Sequence, residues 1–126
     1  MDERTWQPYE DGATMGQTGL VGGIITRDEE LGDPEEPEDA DARLTIETVP
    51  DGFAVTANLY GGWLQETARF GSESEAQSAF DAAKSELFHL ADLIPDEEDG
   101  NIDAAVATLN REVAAFATAF GGSPTL

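Results

Sequence analysis

Between Ala42 and Phe70 apolar and polar residues alternate, and the alternation breaks at two points, Asp51-Gly52 and Gly61-Gly62. Such pairs are strong signals for two-residue hairpin loops, so the stretch predicts three antiparallel strands. With Asp51-Gly52 as the first loop, Pro50 faces Phe53, Thr48 faces Val55, Ile46 faces Ala57 and Leu44 faces Leu59. With Gly61-Gly62 as the second, Leu59 faces Leu64, Ala57 faces Glu66, Val55 faces Ala68 and Phe53 faces Phe70. Both turns put the same residues on one face. A one-residue slip would throw all of them to the other side, so the agreement identifies the core-facing side. Glu66 is the exception there and is expected near a sheet edge, reaching water. The opposite face, with Thr45, Glu47, Thr56, Asn58, Gln65, Thr67 and Arg69, is mostly polar and sets Tyr60 across from Trp63.

Two amphipathic helices follow. Ser72-Glu73-Ser74-Glu75 has the spacing of a capping box, in which the hydroxyl and the second glutamate satisfy amide donors at a helix start. From there Ala76, Phe80, Ala83, Leu87, Leu90 and Ile94 form one stripe that ends at Pro95, with Phe88 widening it toward a second helix. That helix starts near Asn101, presents Ile102, Val106, Leu109, Val113, Phe116 and Phe120, and stops at Gly121-Gly122. Leu20 to Thr26 reads as a further strand, its glycine pair marking a bulge or a close backbone approach. Asp28 to Asp41 holds nine carboxylates and two prolines, and reads as a solvated loop. The expected fold is therefore α+β, a two-layer sandwich of a three- to four-stranded antiparallel meander with two helices packed on one face. An irregular arm over 1–19 precedes a single domain over 20–122, and 123–126 is a tail.

Hydrophobic residues are 40% of the 126, enough for a core, yet 27 Asp and Glu face only 6 Lys and Arg, for a net charge of -21. Lys84 is the sole lysine. At physiological ionic strength the Debye length is about 8 Å and such charge opposes compaction; at molar salt it falls to about 3 Å and the repulsion fades. Acid excess with lysine depletion resembles the composition of salt-in halophiles, which implies a cytoplasmic protein of a salty interior. The rival explanation is an acidic mimic of nucleic acid, although mimicry does not require discarding lysine. Direct nucleic-acid binding is excluded by the scarcity of Lys and Arg for phosphate contacts. Leu20 to Ile25 is too short and glycine-broken for a signal or a membrane span.

The inventory for catalysis is thin. Without cysteine there are no disulfides, thiolate metal sites or cysteine nucleophiles. His89, the one histidine, falls late in the first helix, where an imidazole favours the helix dipole. The serines fall at a cap or on polar helix positions. Asp99-Gly100-Asn101-Ile102-Asp103 matches the middle of a calcium loop, but its first and twelfth positions would be Pro95 and Val106, which carry no carboxylate. No phosphate-binding glycine loop is present. No catalytic residue, metal site or cofactor is therefore assigned, and the chain is read as non-enzymatic. The feature that points to function is the Tyr60 and Trp63 pair with Gln65 and Arg69 beside it, since exposed aromatics and arginine often anchor interfaces. The expected function is a protein-interaction module that presents this face to another protein or to its own copy. The alternatives are the acidic mimic, and a small-ligand-binding domain or minor enzyme using Glu66 and Arg69 beside a cleft with a carboxylate of raised pKa.

Overall fold

The alternation between Ala42 and Phe70 builds the centre of an antiparallel sheet: β3 (Ala42–Val49), β4 (Gly52–Leu59) and β5 (Leu64–Phe70). The structure is a computed structural model in which residues 5–32, 40–60, 63–94 and 102–121 are described. The Gly61-Gly62 loop, the middle of the acidic segment, Pro95, the calcium-loop-like stretch up to Asn101 and the 123–126 tail lie outside them. The β4–β5 register is the expected one, with Leu59 opposite Leu64 and Phe53 opposite Phe70. The β3–β4 register differs by two residues: Thr48 lies opposite Phe53, Ile46 opposite Val55 and Ala42 opposite Leu59. Its loop is therefore Pro50-Asp51, where the fixed φ of proline suits the first loop position. Because side chains alternate with a period of two, this shift leaves every residue on its expected face. Gly52 is fixed by its position, since its φ is +144° and a Cβ there would lie 2.3 Å from the Phe70 carbonyl oxygen.

The sheet has five strands in the order β1-β2-β3-β4-β5, one or two more than expected. The added edge comes from the arm: Thr5–Pro8 is β1, pairing with β2 and followed by a 3-10 turn at Tyr9–Gly12. The strand expected over Leu20 to Thr26 is displaced as well. β2 runs Ile24–Gly32, with a bulge between Ile25 and Arg27, and so takes in the first part of the acidic segment. Asp28 and Glu30, expected in a solvated loop, are buried. They can pair in a sheet because basic and hydroxyl side chains meet them there, which charge counting along the chain does not reveal.

Helix α1 (Glu73–Asp92) begins at Ser72, whose hydroxyl oxygen accepts from the Glu75 amide at 3.2 Å. It packs over β3 and β4, and α2 (Ile102–Gly121) packs over β5. The core joins Leu31, Leu44, Ile46, Val55 and Leu59 to Phe80, Leu87, Leu90, Leu109, Val113 and Phe116. Phe88 is half-buried against this core and also lines a cleft with Trp6 of β1. On the helix side of β2, Arg27 stacks on the Phe80 ring at 3.9 Å and bonds Glu29 and Asp81, while Lys84 bonds Glu29 at 2.9 Å. Among the described residues no helix is long and apolar enough to cross a membrane.

Phe80 is fully buried at the seam between α1 and the sheet. Phe80→Ala should therefore lower the unfolding free energy by about 3–5 kcal/mol, read from denaturant titrations in high KCl.

Candidate functional site

The polar face of the sheet is divided. Over β2 and β3 it is covered by residues 9–23, which fold back across it. Arg43 of β3 donates to Asp28 of β2 through Nε at 2.9 Å and Nη2 at 2.6 Å, a two-pronged pair. Thr45 and Thr14 donate their hydroxyls to the same carboxylate at 3.0 and 2.8 Å. The Tyr9 ring stacks on the Arg43 guanidinium at 3.8 Å. The hydrogen bond to Asp28 is the largest influence raising the Arg43 pKa. A second carboxylate, Glu47, is fully buried and accepts from the Val21 amide at 3.1 Å and the Gly23 amide at 3.0 Å. The loop fits this closely only because residue 19 is glycine, since a Cβ there would sit 2.4 Å from the Glu47 carboxyl carbon.

The four residues singled out from the sequence fall into different surroundings. Tyr60 is half-buried, and its pKa is pushed up to about 12 by burial first and then by Tyr9, with Arg43 opposing. Trp63 is half-buried and packs against the hydrophobic core. Gln65 and Arg69 are exposed on β5, and among the described residues Arg69 makes no ion pair. Glu66 is half-buried on β5, an edge strand.

The parts that a ligand site would need are present but separate. A cleft of about 450 Å³ lies between Trp6, Asp81, Lys84, Ser85 and Phe88, with Trp6 Nε1 donating to the Lys84 carbonyl at 3.2 Å. It lies by β1, at the opposite edge of the sheet from Glu66 and Arg69. The carboxyl with a raised pKa is Glu30, shifted by burial first, with Arg43 opposing and Glu10 and Asp28 adding. Glu30 pairs with Gln7 and Arg43 on the polar face, away from the cleft. His89 is exposed in the last turn of α1. Among the described residues no group of three or more His, Asp or Glu is placed to hold a metal ion.

One feature of this surface was open to sequence reasoning and went unread. Residues 52–72 and 102–126 are over a third of the chain, yet hold only Glu66, Asp103 and Glu112 of the 27 acidic residues, against Arg69 and Arg111. The fold brings these two segments together, because α2 packs over β5. Among the described residues of α2, Asp103, Ala104, Ala107, Asn110, Arg111, Ala114, Ala115 and Thr118 are exposed. Among the described residues, the surface formed by β5 and α2 thus carries few charges for a strongly anionic molecule. It ends in the outer edge of β5, which pairs with no further strand among the described residues.

Removing Asp28 leaves the Arg43 guanidinium half-enclosed without its anion, so Asp28→Ala should destabilise by about 3 kcal/mol in denaturant unfolding. Glu30 gives the opposite sign. Its folded pKa is raised, so its ionisation is unfavourable to the fold, with no penalty below the unfolded value and a growing one as pH rises from there through the folded pKa. Glu30→Gln should accordingly match the wild type near pH 4 and be the more stable at pH 7. Comparison with known proteins brings no match among family models, curated proteins or solved structures.

Proposed function

We propose that the chain is a non-enzymatic protein-interaction module of a salt-rich cytoplasm, docking through the side formed by β5 and α2. The observation that carries this reading is the withdrawal of charge from that side in a chain of net charge -21. Salt screens repulsion between acidic surfaces, but stripping water from carboxylates at a contact remains costly, so a docking patch in such a protein is spared them. The same side offers a strand edge that is unpaired among the described residues, with Gln65 and Arg69 exposed, and strand edges give main-chain hydrogen bonds to a partner. The reading moves the contact surface away from the half-buried Tyr60 and keeps the exposed Gln65 and Arg69.

The uneven charge also favours a second reading, an acidic mimic of nucleic acid acting through the opposite, carboxylate-rich side. The two separate by what is bound: the mimic captures a basic nucleic-acid-binding protein and releases it as salt rises.

The test is affinity capture from the cytoplasm of a salt-in halophile in multimolar KCl, with wild type and Arg69→Glu immobilised side by side. Retained protein, an untagged copy of the chain included, should bind the wild type and be lost from Arg69→Glu, whose circular dichroism should be unchanged. Equal retention by both, or retention of nothing, overturns the module.

A further inference from the structure

Resting on that reading, we propose that the occupant of the β5 edge is a second copy of this chain, the two β5 strands pairing antiparallel about a two-fold axis at Thr67. The two edges of the sheet differ in how they are closed to pairing. β1 is four residues long and ends in Pro8, which donates no amide. β5 is seven residues long, contains no proline and pairs with β4 without a bulge. Among the described residues, the usual devices against edge-to-edge association are reduced on β5 to its two charges, Glu66 and Arg69.

The sequence of β5 is also compatible with itself in one register. Opposite residues in an antiparallel pair share a face, so the two-fold axis passes through a residue of β5. With the axis at Thr67 all seven residues overlap. Leu64 then lies opposite Phe70 of the second copy and Glu66 opposite Ala68 on the helix side, while Gln65 lies opposite Arg69 on the polar side. Neither of the strand's two charges meets a like charge. An axis at Glu66 sets that carboxylate against itself, which is destabilising, and an axis at Ala68 leaves Leu64 and Gln65 without partners. In the Thr67 arrangement Gln65 and Arg69 form the same contact twice, and the copies meet through their least charged sides. The product is one continuous sheet with helices on one face.

The experiment is sedimentation equilibrium of the purified chain at the lowest KCl concentration that keeps it folded, so that charge contacts are not fully screened. The expected species has twice the monomer mass. Gln65→Arg sets a guanidinium opposite Arg69 of the second copy at two places, and should weaken the dimer roughly tenfold. Adding Arg69→Glu to Gln65→Arg makes the facing charges opposite and should restore it. Both positions are exposed, so folding is retained. A chain that stays monomeric at every concentration overturns the inference, and so does a dimer indifferent to both substitutions. A monomer whose capture of another protein still depends on Arg69 overturns the second copy alone and leaves the module standing.

Discussion

The fork between Arg43 and Asp28 is the contact on which the polar half of this protein depends. It crosses from β3 to β2 beneath the 9–23 segment, where an unpaired carboxylate carries a desolvation cost of several kcal/mol. Two hydroxyls fill the remaining acceptor sites of Asp28, and Tyr9 closes over the guanidinium. With that charge satisfied, an acidic stretch of chain can lie in a sheet as β2. With β2 in place, β1 has a strand to pair with.

The same logic recurs on the other side of β2. Arg27 and Lys84 share Glu29, and Arg27 reaches Asp81 and covers Phe80, so α1 is tied to the sheet by ion pairs as well as by its apolar stripe. Three of the six basic residues thus work within one neighbourhood, around β2. The other side of the molecule is assembled around apolar side chains, among them Leu59, Leu64, Leu109, Val113 and Phe116. Salt acts unevenly on such a build. It screens the repulsion among exposed carboxylates, leaves the enclosed Asp28–Arg43 fork largely untouched, and strengthens the burial of apolar side chains where the anion is strongly hydrated.

The parts of the fold legible from sequence are those governed by local pattern. The alternation from Leu44 to Phe70 identified both faces of three strands, and the Ser72 cap and the stripe from Ala76 to Leu90 located α1. The two-residue offset at the first hairpin arose because Pro50 and Gly52 both punctuate that turn, and proline took the loop position. What sequence reasoning missed depends on partners distant along the chain. Asp28 reads as solvated until Arg43 and Thr14 are beside it, and the Trp6 strand has too few residues to show a period. The surroundings of the aromatic pair were not legible for a related reason: Tyr60 is half-buried, with Tyr9 and Arg43 near enough to act on its hydroxyl, and Trp63 packs against the core. The charge-poor side was legible, since it needs only charges counted by segment and a reason to place 52–72 beside 102–126.

The strand order has a kinetic meaning. Each strand of the sheet lies beside its neighbour in the chain, so no connection crosses another and no strand has to wait for a remote segment before it can pair. Closing loops this short costs little entropy, and topologies rich in local contacts fold quickly. The hairpins from Ala42 to Phe70 can form while the acidic segment is still solvated. The charged strand β2, with β1 on its far side, then adds to an existing template, which lets a chain carrying so much like charge postpone its most repulsive step until there is a surface to receive it.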